Sequence, residues 1–191
     1  MRNGELGVPA GDHSEALTRS VRRKHKHVIL GRDVLVEVRS DMAATTYPSF
    51  LGRAPPNVGS ASAGTLSADQ WRTFCLVNLP ISLIRLWSGL EPTNRKTLLL
   101  HNFIDLVVAV KRGSAKRVTP DLIESFETRI LQYVRGIRDL FPEIPLAPNH
   151  HIALHIGEVM RLFGPTSAYW AFPFERFIRL LRDVNKNFRP S

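Results

Sequence analysis

The sequence predicts a mainly α protein: one helical domain of about five amphipathic helices, with a disordered basic N-terminal arm and a long Pro/Gly loop. Three observations carry this. Apolar residues recur at three- and four-residue steps over most of the chain after residue 66, the spacing that lays a stripe along one helix face. Helix-start signals precede those runs, with Ser67 and Thr119 as N-caps and Pro120 in a first turn. Alternation at period two is confined to one piece, His27–Val38.

In chain order, residues 1–27 form the arm. They mix Gly, Pro and charge without either periodicity, as disordered segments do. Within the arm, Arg22, Arg23 and Lys24 belong to the basic run VRRKHKH, which reads equally as a phosphate-contacting or nuclear-import cluster and as a solvated tail. Residues 28–66 hold a helix over Asp33–Met42, preferred to a strand because charges recur among the apolar residues, and then the Pro/Gly/Ser-rich stretch YPSFLGRAPPNVGSASAG. Residues 67–191 form the helical domain.

The first helix of that domain opens on a capping box of Ser67 and Gln70. Its apolar face runs through Trp71, Phe74, Cys75, Leu76, Leu79, Leu83 and Leu86, with Pro80 expected to kink it. The second runs from Thr93 as N-cap through Leu98, Leu99, Phe103, Leu106, Val107 and Val110 to Gly113, expected to terminate it in a left-handed conformation. The third starts at Thr119-Pro120 and carries Leu122, Ile123, Phe126, Ile130, Tyr133, Val134, Ile137 and Leu140 until PEIPLAP ends it. A fourth spans Asn149–Phe163 and stops at Gly164-Pro165. A fifth begins near Pro173.

Composition bounds the function. With 191 residues and 43% hydrophobic content, the chain suits a single folded body with a tail. The formal net charge of +9 makes nucleic acid the leading partner class, since a cationic surface gains affinity for phosphate polymers by counterion release. The one cysteine, Cys75, excludes an intramolecular disulfide framework and a complete Cys-rich zinc site. With neither a secretory signal nor an uninterrupted apolar run of about twenty residues, the expected setting is intracellular, soluble and without a membrane partner.

The chemistry-bearing stretch is 149–177, NHHIALHIGEVMRLFGPTSAYWAFPFERF. His151 and His155 stand four apart on one helix, a spacing at which two imidazoles share a metal ion, zinc being the usual one. Glu158 shares that face, and His150 is expected to be an exposed bystander. Ile152 occupies the place where an HExxH protease carries its general base. Glu175 falls in the first turn of the fifth helix, where a carboxylate is favoured on structural grounds alone. Arg176, Arg179 and Arg182 recur at three-residue steps among Tyr169, Trp170, Phe172 and Phe177, a pattern suited to tracking a phosphate backbone. No phosphate loop, nucleophile elbow or paired-carboxylate motif completes an active site.

The segments APPNVGSASAGTLSADQWRTF, LVNLPISLIRLW, APNHHIALHIGEVMRLFGPTSAYWAFPFERF and LLRDVNKN resemble fungal, basidiomycete-type proteins of CACTA (En/Spm-like) transposons, from about Val28 to the end. The resemblance is to the C-terminal domain of unknown function that follows the transposase domain, and GPTSAYWAFPFERF is its most specific part. It implies a role in DNA transposition and a nuclear location. A more distant resemblance, to the wider superfamily that includes the V(D)J recombinase catalytic subunit, implies that His151 and His155 are zinc ligands and that Glu175 is the last carboxylate of a catalytic triad binding divalent metal in a full-length parent. The two catalytic aspartates and a cysteine pair for the zinc would lie upstream, so the chain reads as a fragment that lacks its transposase domain and does not cut DNA alone. Its ending at Pro190 and Ser191, where relatives continue, fits the same expectation. Two further readings stand beside it: an autonomous basic helical module that binds nucleic acid or protein, and a zinc-dependent enzyme built on the HxxxH pair.

Overall fold

In the computed structural model, residues 29–49, 51–169 and 178 are described. The chain divides into two units, Met1–Glu37 and Val38–Ser191. The described residues are helical with no strand: α1 Arg32–Ala44, α2 Ala68–Thr73, α3 Leu79–Trp87, α4 Arg95–Gly113, α5 Pro120–Leu140, α6 Pro148–Leu154 and α7 Ile156–Phe163. The segment His27–Val38 therefore resolves in favour of helix from Arg32 onward. The basic arm, the expected fifth helix and, with them, Arg22, Arg23, Lys24, Glu175, Arg176, Arg179 and Arg182 lie outside the described residues.

The loop after α1 is ordered by side chains reaching backbone. Arg39 donates through Nε and Nη2 to the Val58 carbonyl at 3.1 and 2.9 Å, which closes the loop back onto the second half of α1. Val58 and Ala54 are buried by this closure. The Arg53 guanidinium sits 5.3 Å over the Tyr47 ring, while the Tyr47 hydroxyl accepts a bond from the buried Asn78 amide. Proline-rich backbone that lacks donors is thereby held without regular structure. A short 3-10 turn, Ala61–Ala63, leads to α2.

The capping box forms as the sequence predicts: the Ser67 hydroxyl accepts from the Gln70 N–H, and the Gln70 side chain accepts from the Ser67 N–H. Pro80 does disturb the helix that follows, but through a π turn. Residues Phe74–Asn78 are π-helical and lead directly into α3, with the Leu79 N–H bonded to the Phe74 carbonyl five residues back. Pro80 has no N–H to give and crowds the preceding turn, and widening that turn relieves both problems. The extra residue shifts the buried face, which steps from Phe74 to Leu79 and on to Leu83 and Trp87. Trp71, expected in the core, is instead half exposed, lying edge-on to Phe74 at 6.1 Å.

Helix α4 begins one residue later than predicted. Asn94, not Thr93, is the N-cap, its side chain accepting from the Lys96 N–H. Thr97, Leu100, Asn102, Val107 and Ala109 are its buried residues, whereas Leu98 faces out. Gly113 does not terminate the helix in a left-handed conformation, because among the described residues only Gly59, Gly64 and Gly164 have positive φ. Its value is closeness: a Cβ there would come within 3.1 Å of the Phe126 ring. Helix α5 starts as predicted, with the Thr119 hydroxyl accepting from Leu122 N–H ahead of Pro120.

Helices α4 and α5 run antiparallel, with Asn102 beside Tyr133, Asp105 beside Arg129 and Gly113 beside Phe126, and make the most extensive helix contact. Its core is Ala109, Ile123, Phe126 and Ile130, closed by Met160 of α7, with Leu106, Val118, Leu122, Tyr133, Ala153, Leu154 and Ile156 packed around it. Five buried apolar side chains of this kind each contribute on the order of 1.5–3 kcal/mol relative to exposure, apart from the smaller alanine.

The expected single helix Asn149–Phe163 is two helices meeting at His155, whose φ of −91° and ψ of −6° stay right-handed but depart from regular helix geometry. The bend lets both short helices lie against α5. Gly157 then comes so near α5 that a Cβ would overlap the Glu127 side chain, and Met160 reaches the core at 1% exposure. Gly164, with φ of 79°, ends α7 and bonds through its N–H to the Met160 carbonyl, as the Gly-Pro signal predicts.

Candidate metal pair and basic surface

The bend at His155 governs the histidine pair. The Nε2 atoms of His151 and His155 stand 3.4 Å apart, with the rings edge to face at a centroid distance of 4.9 Å. Tetrahedral zinc with bonds near 2.0–2.1 Å needs its two imidazole nitrogens about 3.3 Å apart, so the pair suits two of four coordination positions. Without metal the same spacing fits one weak N–H to N hydrogen bond between neutral rings.

Glu158 joins the group but does not extend it. Its Oε2 lies 3.4 Å from His155 Nδ1, the ring nitrogen that points away from Nε2. An ion shared by the two Nε2 atoms therefore sits on the opposite side of the imidazole from this carboxylate. Among the described residues, no group of three His, Cys, Asp or Glu side chains stands close enough to hold a metal ion. The site is solvent-facing, with side-chain exposures of 53% for His155 and 69% for Glu158.

His150 is not a bystander. Its Nδ1 accepts the Ala147 N–H at 3.1 Å, closing the first turn of α6, and its ring lies edge-on to Tyr133 at 6.0 Å. Burial of that tyrosine pushes its hydroxyl above its ordinary value of 10.0. Cys75 is likewise half-buried, and burial raises its thiol. A thiol held protonated is a poor nucleophile, in keeping with a packing role.

The cations sort into two groups. Arg39 and Arg53 hold the loop. Arg85 forks onto Asp41 Oδ2 at 3.2 and 3.0 Å. Arg95 donates to the Leu140 carbonyl and covers the Phe141 ring. Arg129 pairs with Asp105 at 2.7 Å. Arg161 meets Glu127 through two parallel bonds of 2.5 and 2.6 Å; those bonds raise the guanidinium above its ordinary value despite some opposing desolvation.

Lys111, Arg112, Lys116 and Arg117, by contrast, are all exposed and make no ion pair among the described residues. They surround the turn from α4 into α5. The turn is fixed by bonds from Ser114 N–H to the Val110 carbonyl at 2.9 Å and from Ala115 N–H to the Arg112 carbonyl at 3.2 Å. The Thr166 hydroxyl also donates to the Gly113 carbonyl at 2.5 Å. The Gly164–Tyr169 stretch, the described part of the signature span, is thus tied to this end of α4. The signal for these four cations in the sequence is the run KRGSAKR at 111–117, split by the Gly113 that reads as a helix end.

No family model, no curated protein and no solved structure matches the chain. No helix among the described residues is long and apolar enough to cross a membrane.

Proposed function

We propose that this chain is a transposase-derived C-terminal domain that contacts DNA and relies on other parts of a parent protein for any strand chemistry. The observation that carries the reading is the excess of 26 Lys and Arg over 17 Asp and Glu, combined with a set of exposed cations left over after the internal ion pairs are made. Such residual charge is what a phosphate polymer recruits. The motif resemblance to CACTA-type proteins adds the process, DNA transposition in the nucleus, and supplies Glu175 as a carboxylate that would act only beside the missing aspartates. The test is binding of the full chain to duplex DNA across a salt series, with a strand-cleavage assay in parallel. Saturable binding that weakens with salt and no cleavage is the expected result; absence of binding at low salt overturns the DNA reading, and cleavage overturns the claim of catalytic incompleteness.

A second reading rests on the 3.4 Å separation of the two Nε2 atoms, which suits zinc held by His151 and His155 with further ligands from elsewhere. Zinc there would supply a structural crosslink or a Lewis acid. Metal analysis of the purified chain decides it: bound zinc lost in the His151→Ala, His155→Ala double variant supports the reading, and no zinc in the wild type removes it.

A further inference from the structure

We infer that the phosphate-contacting surface is the α4–α5 turn, with Lys111, Arg112, Lys116 and Arg117 engaging the backbone of duplex DNA. The inference rests on the DNA reading above and says where on the described surface that contact is made.

Four cations fall within seven residues, and no acid occurs between Asp105 and Asp121. Asp105 is committed to Arg129 and Glu127 to Arg161, which leaves Asp121 and Glu124 on the first turns of α5 as the opposing charge in this neighbourhood. A structural role accounts for two of the cations: Lys111 and Arg112 occupy the last turn of α4, where positive charge complements the helix dipole. It does not account for Lys116 and Arg117, which lie beyond the helix end, where that field has fallen away. The remaining described cations without a bonded partner lie elsewhere in smaller groups, Lys96 on α4 and the pair Arg135 and Arg138 on α5, so among the described residues this turn is where unspent charge concentrates.

The turn is also held in place. Gly113 packs against Phe126, Val118 packs on the core just past Arg117, and Thr166 fixes the Gly113 carbonyl. A rigid support lets long side chains meet phosphates without ordering the backbone first. Within the run from Lys111 to Arg117 the uncharged residues are small, which suits phosphate contact by the cations alone. An anionic membrane surface, which needs bulky apolar side chains beside the cations, is the competing partner because Leu162, Phe163 and Tyr169 are exposed on and just before the stretch that Thr166 ties to this turn, and the vesicle arm of the test separates the two.

The experiment compares the full chain with Lys116→Ala, Arg117→Ala and with a charge-matched control, Lys96→Ala, Arg135→Ala, on one DNA duplex and on anionic phospholipid vesicles. Circular dichroism checks that all three share one fold. The turn variant is expected to bind DNA more weakly, with the slope of log affinity against log salt reduced by about 2, the loss of two phosphate contacts, while the control keeps the wild-type slope. Wild-type binding that survives in the turn variant overturns this placement and leaves the DNA reading intact. Absence of DNA binding by the wild type overturns both. Equal losses in the turn variant and the control reduce the effect to net charge and overturn the placement, as does a turn variant that loses vesicle binding only.

Discussion

Asp41 shows how a single side chain links the loop-bearing half of the domain to α3. Burial pushes its carboxyl up, but the nearby Ser82 hydroxyl and the forked Arg85 guanidinium pull harder, so it titrates below its ordinary 3.8. Because the folded value is the lower one, the stabilisation is complete above the unfolded value and disappears as pH falls through the folded value. Urea midpoints for wild type and Asp41→Asn should therefore differ at neutral pH and converge only as pH falls well below 3.8; a difference unchanged by acid would show that the carboxylate charge is not what matters. Gly136 offers a test of opposite sign from ordinary expectation. On an open helix face Gly→Ala stabilises by about 1 kcal/mol, yet here the new methyl would overlap the Asn102 amide, which is buried and donates to the Tyr133 carbonyl at 2.9 Å. Gly136→Ala should destabilise by about 1–3 kcal/mol through overpacking, as read by chemical denaturation. Stabilisation would contradict the tight α4–α5 contact.

At the scale of elements, the helices were legible wherever a local rule dominated. Ser67 with Gln70 and Thr119 with Pro120 mark helix starts through bonds between residues three apart, so four or five letters of sequence contain the whole interaction. Removing the Ser67 cap in Ser67→Ala should cost about 1 kcal/mol, and thermal melts that leave the variant unchanged would refute the cap's role. Pro80 announced an irregularity but not its form. The π turn it induces rotates every later residue by roughly 100°, which brings Leu79, Leu83 and Trp87 round toward the face that Phe74 buries. The bend at His155 was illegible for a different reason: nothing local demands it, and it arises because Gly157 and Met160 must meet α5, a contact across about thirty residues. The candidate site inherited the same division. The four-residue spacing placed His151 beside His155 correctly in outline, while the divergence of Glu158 onto the other ring nitrogen, and the capping role of His150, depend on side-chain directions that spacing does not encode. Phe126→Ala, at the centre of the α4–α5–α7 contact, is expected to lose about 3–5 kcal/mol, and a loss under about 1 kcal/mol would mean that the core lies elsewhere.

For the molecule as a whole, internal ion pairs among the described residues consume several arginines and leave the α4–α5 turn as a bare cationic corner, tied through Thr166 to the stretch Gly164–Tyr169. The histidine pair on α6 and at the bend is separate from this end of α4 and gathers no third ligand among the described residues. The measurement that tests the account most directly is the affinity of the full chain for duplex DNA between about 50 and 200 mM salt. A linear fall of log affinity with log salt, at a slope corresponding to several released counterions, is the predicted result. Affinity that is undetectable at the lowest salt, or present but indifferent to salt, would contradict the proposal that the surplus charge meets phosphate.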